Sequence, residues 1–280
     1  MAAQAVVFAY HDVGVRCLRV LLDAGVRVPL VVTHRDDPGE RVFFESVARL
    51  ARSRGLPVLE DPEAPQIDSQ LKKISPDFIF SFYYRRMLPP EVLAAAKRGA
   101  FNMHGSLLPK YRGRAPVNWA VLNGERETGA TLHEMVAKPD AGRIVDQQAV
   151  PIGPDETAGE VMAKVSAAAE TIMKRSIPAL LAGTARLRPN DLAAGSYYGA
   201  RRPEDGRIDW SKSAQEIHNL VRAVAPPYPG AFTEGMKILR TRLEPARPAR
   251  RRGPYQENGA WFAGCGDGRV LRLLEVETHS

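Results

Sequence analysis

A doubly wound α/β sheet followed by a smaller β-rich domain is the fold this sequence predicts, and three observations carry the prediction. Short apolar runs rich in β-branched and aromatic residues alternate with helical patterns through the first two thirds of the chain, the signature of βαβ units and a mostly parallel sheet. The texture turns Gly-, Pro- and polar-rich between Gly183 and Tyr198, and short strand candidates with turn signals follow. At 280 residues the chain has room for about two domains. Hydrophobic residues at 44% and charged residues at 25% exclude a disordered or fibrous protein.

The elements are expected in this order. AVVFA (Ala5–Ala9) is a strand, and Val13–Ala24 a helix with Val15, Leu18, Leu21 and Leu22 on one face. VRVPLVVT (Val26–Thr33) is a strand, Phe43–Arg54 an amphipathic stretch, Gln66–Lys73 a short polar helix and DFIFSF (Asp77–Phe82) a buried strand. Thr157–Leu181 reads as one long helix, interrupted or ended near Pro178. The boundary is placed at 188/189, giving domains 1–188 and 189–280. In the second, a helix (Ala214–Ala225) precedes strand candidates at Ala231–Thr233, Lys237–Leu243, Ala260–Ala263 and Val270–Glu277.

Several function classes lose support early. The first strand is followed by a single glycine, Gly14, where a dinucleotide fingerprint needs three, and there is no phosphate-cradling GxxxxGK[ST]. Cys17 and Cys265 cannot build a disulfide framework or a four-ligand zinc site. No apolar run reaches the roughly 18–20 residues that span a bilayer, and the N-terminal segment lacks the features of a secretory signal, so the cytoplasm is the expected compartment. The net charge of +7 is concentrated between Lys237 and Arg252, where seven basic residues meet only Glu244. A broad basic face is therefore not required; a flexible arginine-rich loop at 247–252 or a polyanion contact accounts for the excess.

The chemistry concentrates between Gly99 and Gly142. Ligands of doubly wound sheets bind beyond the carboxyl ends of strands, and Asn102 and His104 end one such strand. A spacing of two puts both side chains on one face. Asp140 follows in a Pro-Asp-Ala-Gly turn, and a carboxylate beside the imidazole would orient it and favour its protonated form. SLLPKYRG directly after the histidine is a polar-basic loop where substrate would sit.

FNMHGSLLPKYRGRAPVNW together with the downstream DAG resembles the folate-dependent formyltransferase superfamily. Within it, YHDVG, THRDDPGE, SPDFIFSFYYR, GRAPVNW and NLVRAVAPPYPGAF resemble the UDP-4-amino-4-deoxy-L-arabinose formyltransferases, the transformylase half of a bifunctional polymyxin-resistance enzyme. The likeness runs from about residue 5 to 235. It implies a Rossmann-like catalytic domain and a small β-barrel-like (OB-like) C-terminal domain. The implied reaction moves a formyl group from 10-formyltetrahydrofolate, as co-substrate, to the 4-amine of a UDP-linked sugar destined for lipid A, without a metal. In that reaction Asn102 would donate to the developing oxyanion, His104 would act as general acid/base, and Asp140 would hold His104 and raise its pKa. Folate contacts would fall on Arg85, Arg86, Met87 and Arg114 and on Met135, Val136, Ala137, Lys138 and Pro139.

A nucleotide sugar brings a diphosphate, and Lys110, Arg112, Arg201 and Arg202 are its candidate partners, each equally readable as a surface cation. Tyr111 either walls the substrate or packs its own loop. His11 and Asp12 sit where a substrate contact is allowed, with Asp12 better placed to cap the following helix. His34, His133, His218 and His279 lack metal-ligand spacing and read as structural or exposed, and Trp119 as core or loop buttress. The alternatives are a methionyl-tRNA formyltransferase, a formyl-folate hydrolase and a catalytically idle binding module. Asp36, Asp37 and Glu40, against Arg35 and Arg41, oppose the tRNA contact expected after the second strand.

Overall fold

A computed structural model of the protein describes residues 2–36, 38–39, 42–244 and 248–278. Asp37, Glu40, Arg41, Arg247 and His279, which entered the charge and histidine expectations, lie outside the described residues. The chain forms two compact units that interleave in sequence. One comprises Met1–Gly113, Gly129–Val150 and Lys164–Tyr197; the other comprises Arg114–Thr128, Pro151–Ala163 and Tyr198–Ser280. A single boundary at 188/189 was expected, whereas the chain passes between the units several times.

The elements run β1 (Gln4–Ala9), α1 (His11–Asp23), β2 (Arg27–Thr33), α2 (Val47–Ser53), β3 (Val58–Glu60), α3 (Ala64–Ile74), β4 (Phe78–Phe82), α4 (Pro90–Ala94) and β5 (Ala100–His104). There follow β6 (Arg112–Gly113), α5 (Pro116–Leu122), β7 (Glu127–Glu134), β8 (Ile144–Pro151), α6 (Ala158–Ala182) and β9 (Tyr197–Tyr198). The C-terminal part holds α7 (Ala214–Val224), β10 (Ala231–Thr233), β11 (Met236–Glu244), β12 (Gly253–Glu257), β13 (Ala260–Gly264) and β14 (Val270–Thr278).

The first unit is built on a seven-stranded sheet of order β3-β2-β1-β4-β5-β7-β8. Strands β1 to β5 pair in parallel, and β7 pairs antiparallel to β5. Burial on both faces explains why β1 and β4 read as continuous apolar runs rather than alternating ones. One face carries Val6, Phe8, Val32 and Ile79 against Ile67 and Leu71 of α3. Gly14 serves packing rather than phosphate approach, because a Cβ there would press on Val47 and Ala9.

The second unit carries a five-stranded sheet of order β10-β11-β14-β13-β12, with its resolved pairs antiparallel. Ile217, Val221 and Val224 of α7 pack with Ile238, Leu271 and Leu273. Ser213 and Glu216 close a reciprocal capping box at the start of α7, which fixes where that helix begins. The expected fold class is thus the observed one: a mostly parallel α/β sheet and a small β domain.

Three local expectations are corrected. Asp12 does not cap α1, whose N-cap is Tyr10; its Oδ1 instead accepts from the Glu45 backbone N–H at 2.8 Å. The helix α6 continues through Pro178 to Ala182, and the buried face formed by Ile172, Met173, Ile177 and Leu180 offsets the lost hydrogen bond. Strand β12 was not anticipated, because Pro254 and the flanking glycine look like turn residues in the sequence.

Candidate active site

The site grows from the carboxyl end of β5. Asn102 and His104 share a face of the strand, and the β5–β7 register sets His133 directly opposite Asn102. Cross-strand partners lie on the same side of a sheet, so a carboxamide and two imidazoles meet there. His104 is 7% exposed and His133 2%. The Asn102 Nδ2 lies 3.1 Å from His133 Nε2.

The loop after β5 is held by its own polar groups. Ser106 Oγ donates to the Lys110 carbonyl at 2.7 Å, and Thr131 Oγ1 donates to the Ser106 carbonyl at 2.6 Å. Gln147 Nε2 donates to the Leu108 carbonyl at 2.8 Å. Tyr111 adopts φ 56° and its N–H donates to Ser196 Oγ at 2.9 Å. That left-handed turn aims the Tyr111 carbonyl at His104 Nε2, 2.8 Å away. A carbonyl only accepts, so the ring proton of neutral His104 resides on Nε2 and leaves Nδ1 bare.

Nδ1 faces Asp140, whose Oδ1 is 3.5 Å from it and 3.5 Å from His133 Nε2. Asp140 stands at φ 49° in the turn after β7, with Oδ2 accepting from the Gly113 N–H at 2.9 Å. Asn190 Nδ2 clamps this turn by donating to the Asp140 and Gly142 carbonyls at 3.0 and 3.1 Å. The turn closes tightly because Gly142 lies against the Glu134 carbonyl, where any Cβ would clash.

Electrostatically the cluster is one proton short. Burial drives the His104 pKa below the ordinary histidine value, although the Asp140 charge and the Tyr111 carbonyl pull upward. This corrects the expectation that Asp140 leaves His104 with a raised pKa: desolvation outweighs the carboxylate. Burial works to raise Asp140, but the positive charge that a protonated His104 places beside it and the Gly113 N–H reverse this and hold the carboxyl well below its usual range. An ionised carboxylate therefore faces the bare nitrogen of a neutral imidazole. A proton arriving at Nδ1 would be flanked by Asp140 Oδ1 and balanced by the Tyr111 carbonyl at the other nitrogen.

The remaining candidates distribute unevenly. Arg85 and Arg86 are exposed but tethered: the Arg85 guanidinium lies 4.8 Å over the Tyr10 ring, and Arg86 bonds Asp61 Oδ1 at 3.2 Å and the Pro62 carbonyl at 3.3 Å. His34 organises their loop, stacking on Tyr84 and accepting from the Arg85 N–H at 3.0 Å. Met87 is 63% exposed, and Val136, Ala137 and Lys138 are exposed in the turn that carries Asp140. Met135 N–H donates to the Ala100 carbonyl at 2.7 Å, and Pro139 is half-buried. Lys110 is exposed, whereas Tyr111 and Arg112 are buried, Arg112 lying 6.0 Å from the Tyr197 ring centroid. Tyr111 thus packs its loop, and Arg112 is no surface cation.

In the second unit, Arg114 is exposed, and Arg201 lies 4.9 Å over the Trp119 ring and donates to the Asp205 carbonyl. The Arg202 N–H donates to Asp205 Oδ2 at 2.7 Å. Trp119 is a buttress, stacked on Tyr198 with its Nε1–H on the Gly199 carbonyl. His11, at φ 65°, sits among Phe43, Phe44 and Tyr83; burial lowers its pKa to about 4. Sequence reasoning missed His133, Asn190 and the Tyr111 carbonyl. Only the polar HEM triplet at the end of an apolar strand hinted at the first.

An amide, an imidazole and a partly buried carboxylate at a strand end are groups suited to stabilising an oxyanion and moving a proton. Residues 21–177 match the family model for formyl transferase, and residues 201–280 match that for the formyl transferase C-terminal domain. The chain belongs to the formyl transferase family. Among solved structures it is similar to the N-formyltransferase from Helicobacter canadensis in complex with folinic acid and dTDP-3-aminofucose: 22% identity over 98% of this chain and 99% of that one, TM-score 0.79. It is similar to WlaRD, a sugar 3N-formyl transferase solved with dTDP and 5-N-formyl-THF, at 20% identity over 98% and 99% of the two chains, TM-score 0.78. HypX from Aquifex aeolicus shares the fold at 17% identity and TM-score 0.67, covering 97% of this chain but 44% of its own.

Proposed function

We propose that this protein transfers a formyl group from 10-formyltetrahydrofolate to the amine of a sugar carried on a nucleoside diphosphate. The observation that carries the proposal is the bare Nδ1 of His104, held beside the Asp140 carboxylate and next to the Asn102 amide. That donor set suits a formyl donor: an amide N–H for the oxygen, a neutral base for the amine proton, and no requirement for a metal. The folate contributes the formyl carbon and a nitrogen leaving group. As the new C–N bond forms, Asn102 stabilises the oxyanion, an effect worth about 10²–10³ in rate for one such donor. His104 Nδ1 takes the proton released by the attacking amine and returns it to the departing folate nitrogen as the old C–N bond breaks. Asp140 stabilises the transient imidazolium without itself accepting the proton.

The exposed Met87 and the Val136–Lys138 turn are the proposed folate contacts, beside Arg85, Arg86, Met135, Pro139 and Arg114. Lys110, Arg112, Arg201 and Arg202 remain the proposed partners of the acceptor. UDP-4-amino-4-deoxy-L-arabinose is the acceptor favoured by the likeness of YHDVG, FYYRR and GRAPVNW; the thymidine-linked 3-amino sugar bound by the Helicobacter relative is the second.

The test supplies purified protein with 10-formyltetrahydrofolate and, separately, each sugar and charged initiator tRNA, and reads formylated product by mass spectrometry. Formylation of one nucleotide amino sugar well above the rest is expected. Formylation of the tRNA alone, or folate release without any amine, would overturn the proposal.

A further inference from the structure

The geometry points to His133 as a positioning residue that fixes which way the Asn102 carboxamide faces. This deepens the proposed reaction and rests on it. The two ends of an asparagine amide have nearly the same shape and opposite hydrogen-bonding sense. Turned one way, Asn102 offers N–H to a developing oxyanion; turned the other, it offers a repelling lone pair. Nothing within β5 makes that choice.

His133 makes it from across the sheet. Its Nδ1 lies 2.8 Å from the Glu134 carbonyl, which can only accept, so the proton of the neutral ring is drawn to Nδ1. Asp140 Oδ1 lies farther, 3.5 Å from Nε2, than the Glu134 carbonyl does from Nδ1, so the nearer acceptor keeps that single proton. Nε2 is left as an acceptor 3.1 Å from Asn102 Nδ2. An amide oxygen in that place would meet lone pair with lone pair. One Asn102 N–H is thereby spent on His133, and the second remains for the oxyanion. The Glu134 carbonyl is itself held in place, since its residue's N–H bonds the Arg143 carbonyl at 2.9 Å and Gly142 packs against it. With 2% exposure, His133 admits little water to take over as acceptor.

The experiment compares formyl transfer by the wild type, His133→Phe, His133→Gln, Asn102→Ala and the double variant His133→Phe/Asn102→Ala. His133→Met runs in parallel, so that misfolding of the bulkier variant leaves the comparison standing. The apolar variants should lose about tenfold to a hundredfold in kcat, short of deleting an oxyanion donor, with KM for both substrates within about twofold. His133→Gln, whose side-chain oxygen accepts, should recover most of the loss. The double variant should be no slower than Asn102→Ala alone, because His133 acts through Asn102. Multiplying losses in the double variant, or no recovery with glutamine, would overturn the role. Transfer by the wild type with an unimpaired His133→Phe sinks only this role, whereas no transfer by the wild type to any amine sinks the reaction as well.

Discussion

His104 in the first unit and His218 in the second are both buried, both bonded to a backbone carbonyl and both close to an aspartate. His218 is 2% exposed; its Nε2 lies 3.0 Å from the Pro154 carbonyl and its Nδ1 2.9 Å from Thr241 Oγ1. Burial lowers the pKa of each. The difference is in the second nitrogen. In His218 it accepts from a hydroxyl at full hydrogen-bond distance, and Asp155, 56% exposed, stands near the nitrogen that already donates. In His104 the second nitrogen has, among the described residues, only a partly buried carboxylate 3.5 Å away, which cannot donate to it. A finished histidine holds a fold together, and an unfinished one is where a proton can go.

Removing each ring should separate the two roles most sharply. His104→Ala should lower kcat by about 10²–10⁴, the range typical of a general acid/base, while leaving the circular dichroism unchanged. His218→Leu should leave kcat per folded molecule intact. It strands the Thr241 hydroxyl and the Pro154 carbonyl, and should lower unfolding free energy in urea by about 1–3 kcal/mol. Equal rate losses in the two variants would erase the distinction.

The aspartates give the next contrast. Asp140→Asn removes the charge that steadies protonated His104 and should lower kcat by about 10²-fold or more, whereas Asp155→Asn should change little. The pH profile follows from the same groups. Because burial holds His104 below its ordinary value, the acid limb of kcat/KM should have its midpoint below about 6.5. Asp140 pulls that value upward, so Asp140→Asn should move the limb to still lower pH. For stability, His104 and His218 both titrate lower folded than unfolded. As pH falls below about 6.5 the unfolded chain binds more protons, and stability declines until the folded values are reached. His218→Leu should flatten that decline, measured by urea titrations across the range, without moving the acid limb of the rate.

What could be read from the sequence, and what could not, divides along the same physical line. Asn102 and His104 were legible because a strand has a period of two, and Asp140 through the turn residues around it together with the motif. The partnership of His133 with Asn102 was not, because it depends on the antiparallel register between β5 and β7, which no local pattern encodes. The Tyr111 carbonyl was hidden for another reason, since backbone direction at a left-handed residue leaves no trace in residue type. The sign of the His104 shift was misjudged because a neighbouring carboxylate is visible in sequence while exclusion of water is not. In the β domain, four of five strands were expected from apolar runs, and β12 was obscured by Pro254 and Gly253.

Two glycines offer the finest cut between the regions. A Cβ on Gly142 would collide with the Glu134 carbonyl, and one on Gly266 with the Ser211 carbonyl. Neither has positive φ among the described backbone angles, so each is needed for close approach rather than for an unusual turn. Alanine at either position forces backbone apart and should destabilise by about 1–3 kcal/mol, as overpacking does. Only at Gly142 does the displaced backbone carry Asp140 and press on the carbonyl that holds the His133 ring. Gly142→Ala should therefore also lower kcat, by less than the roughly 10²-fold that an ångström of misplacement can produce. Gly266→Ala, compared at a temperature where both variants remain folded, should retain the wild-type rate. A rate loss in both, or in neither, would mean that the tightness of the turn after β7 serves packing alone and not the placing of the carboxylate.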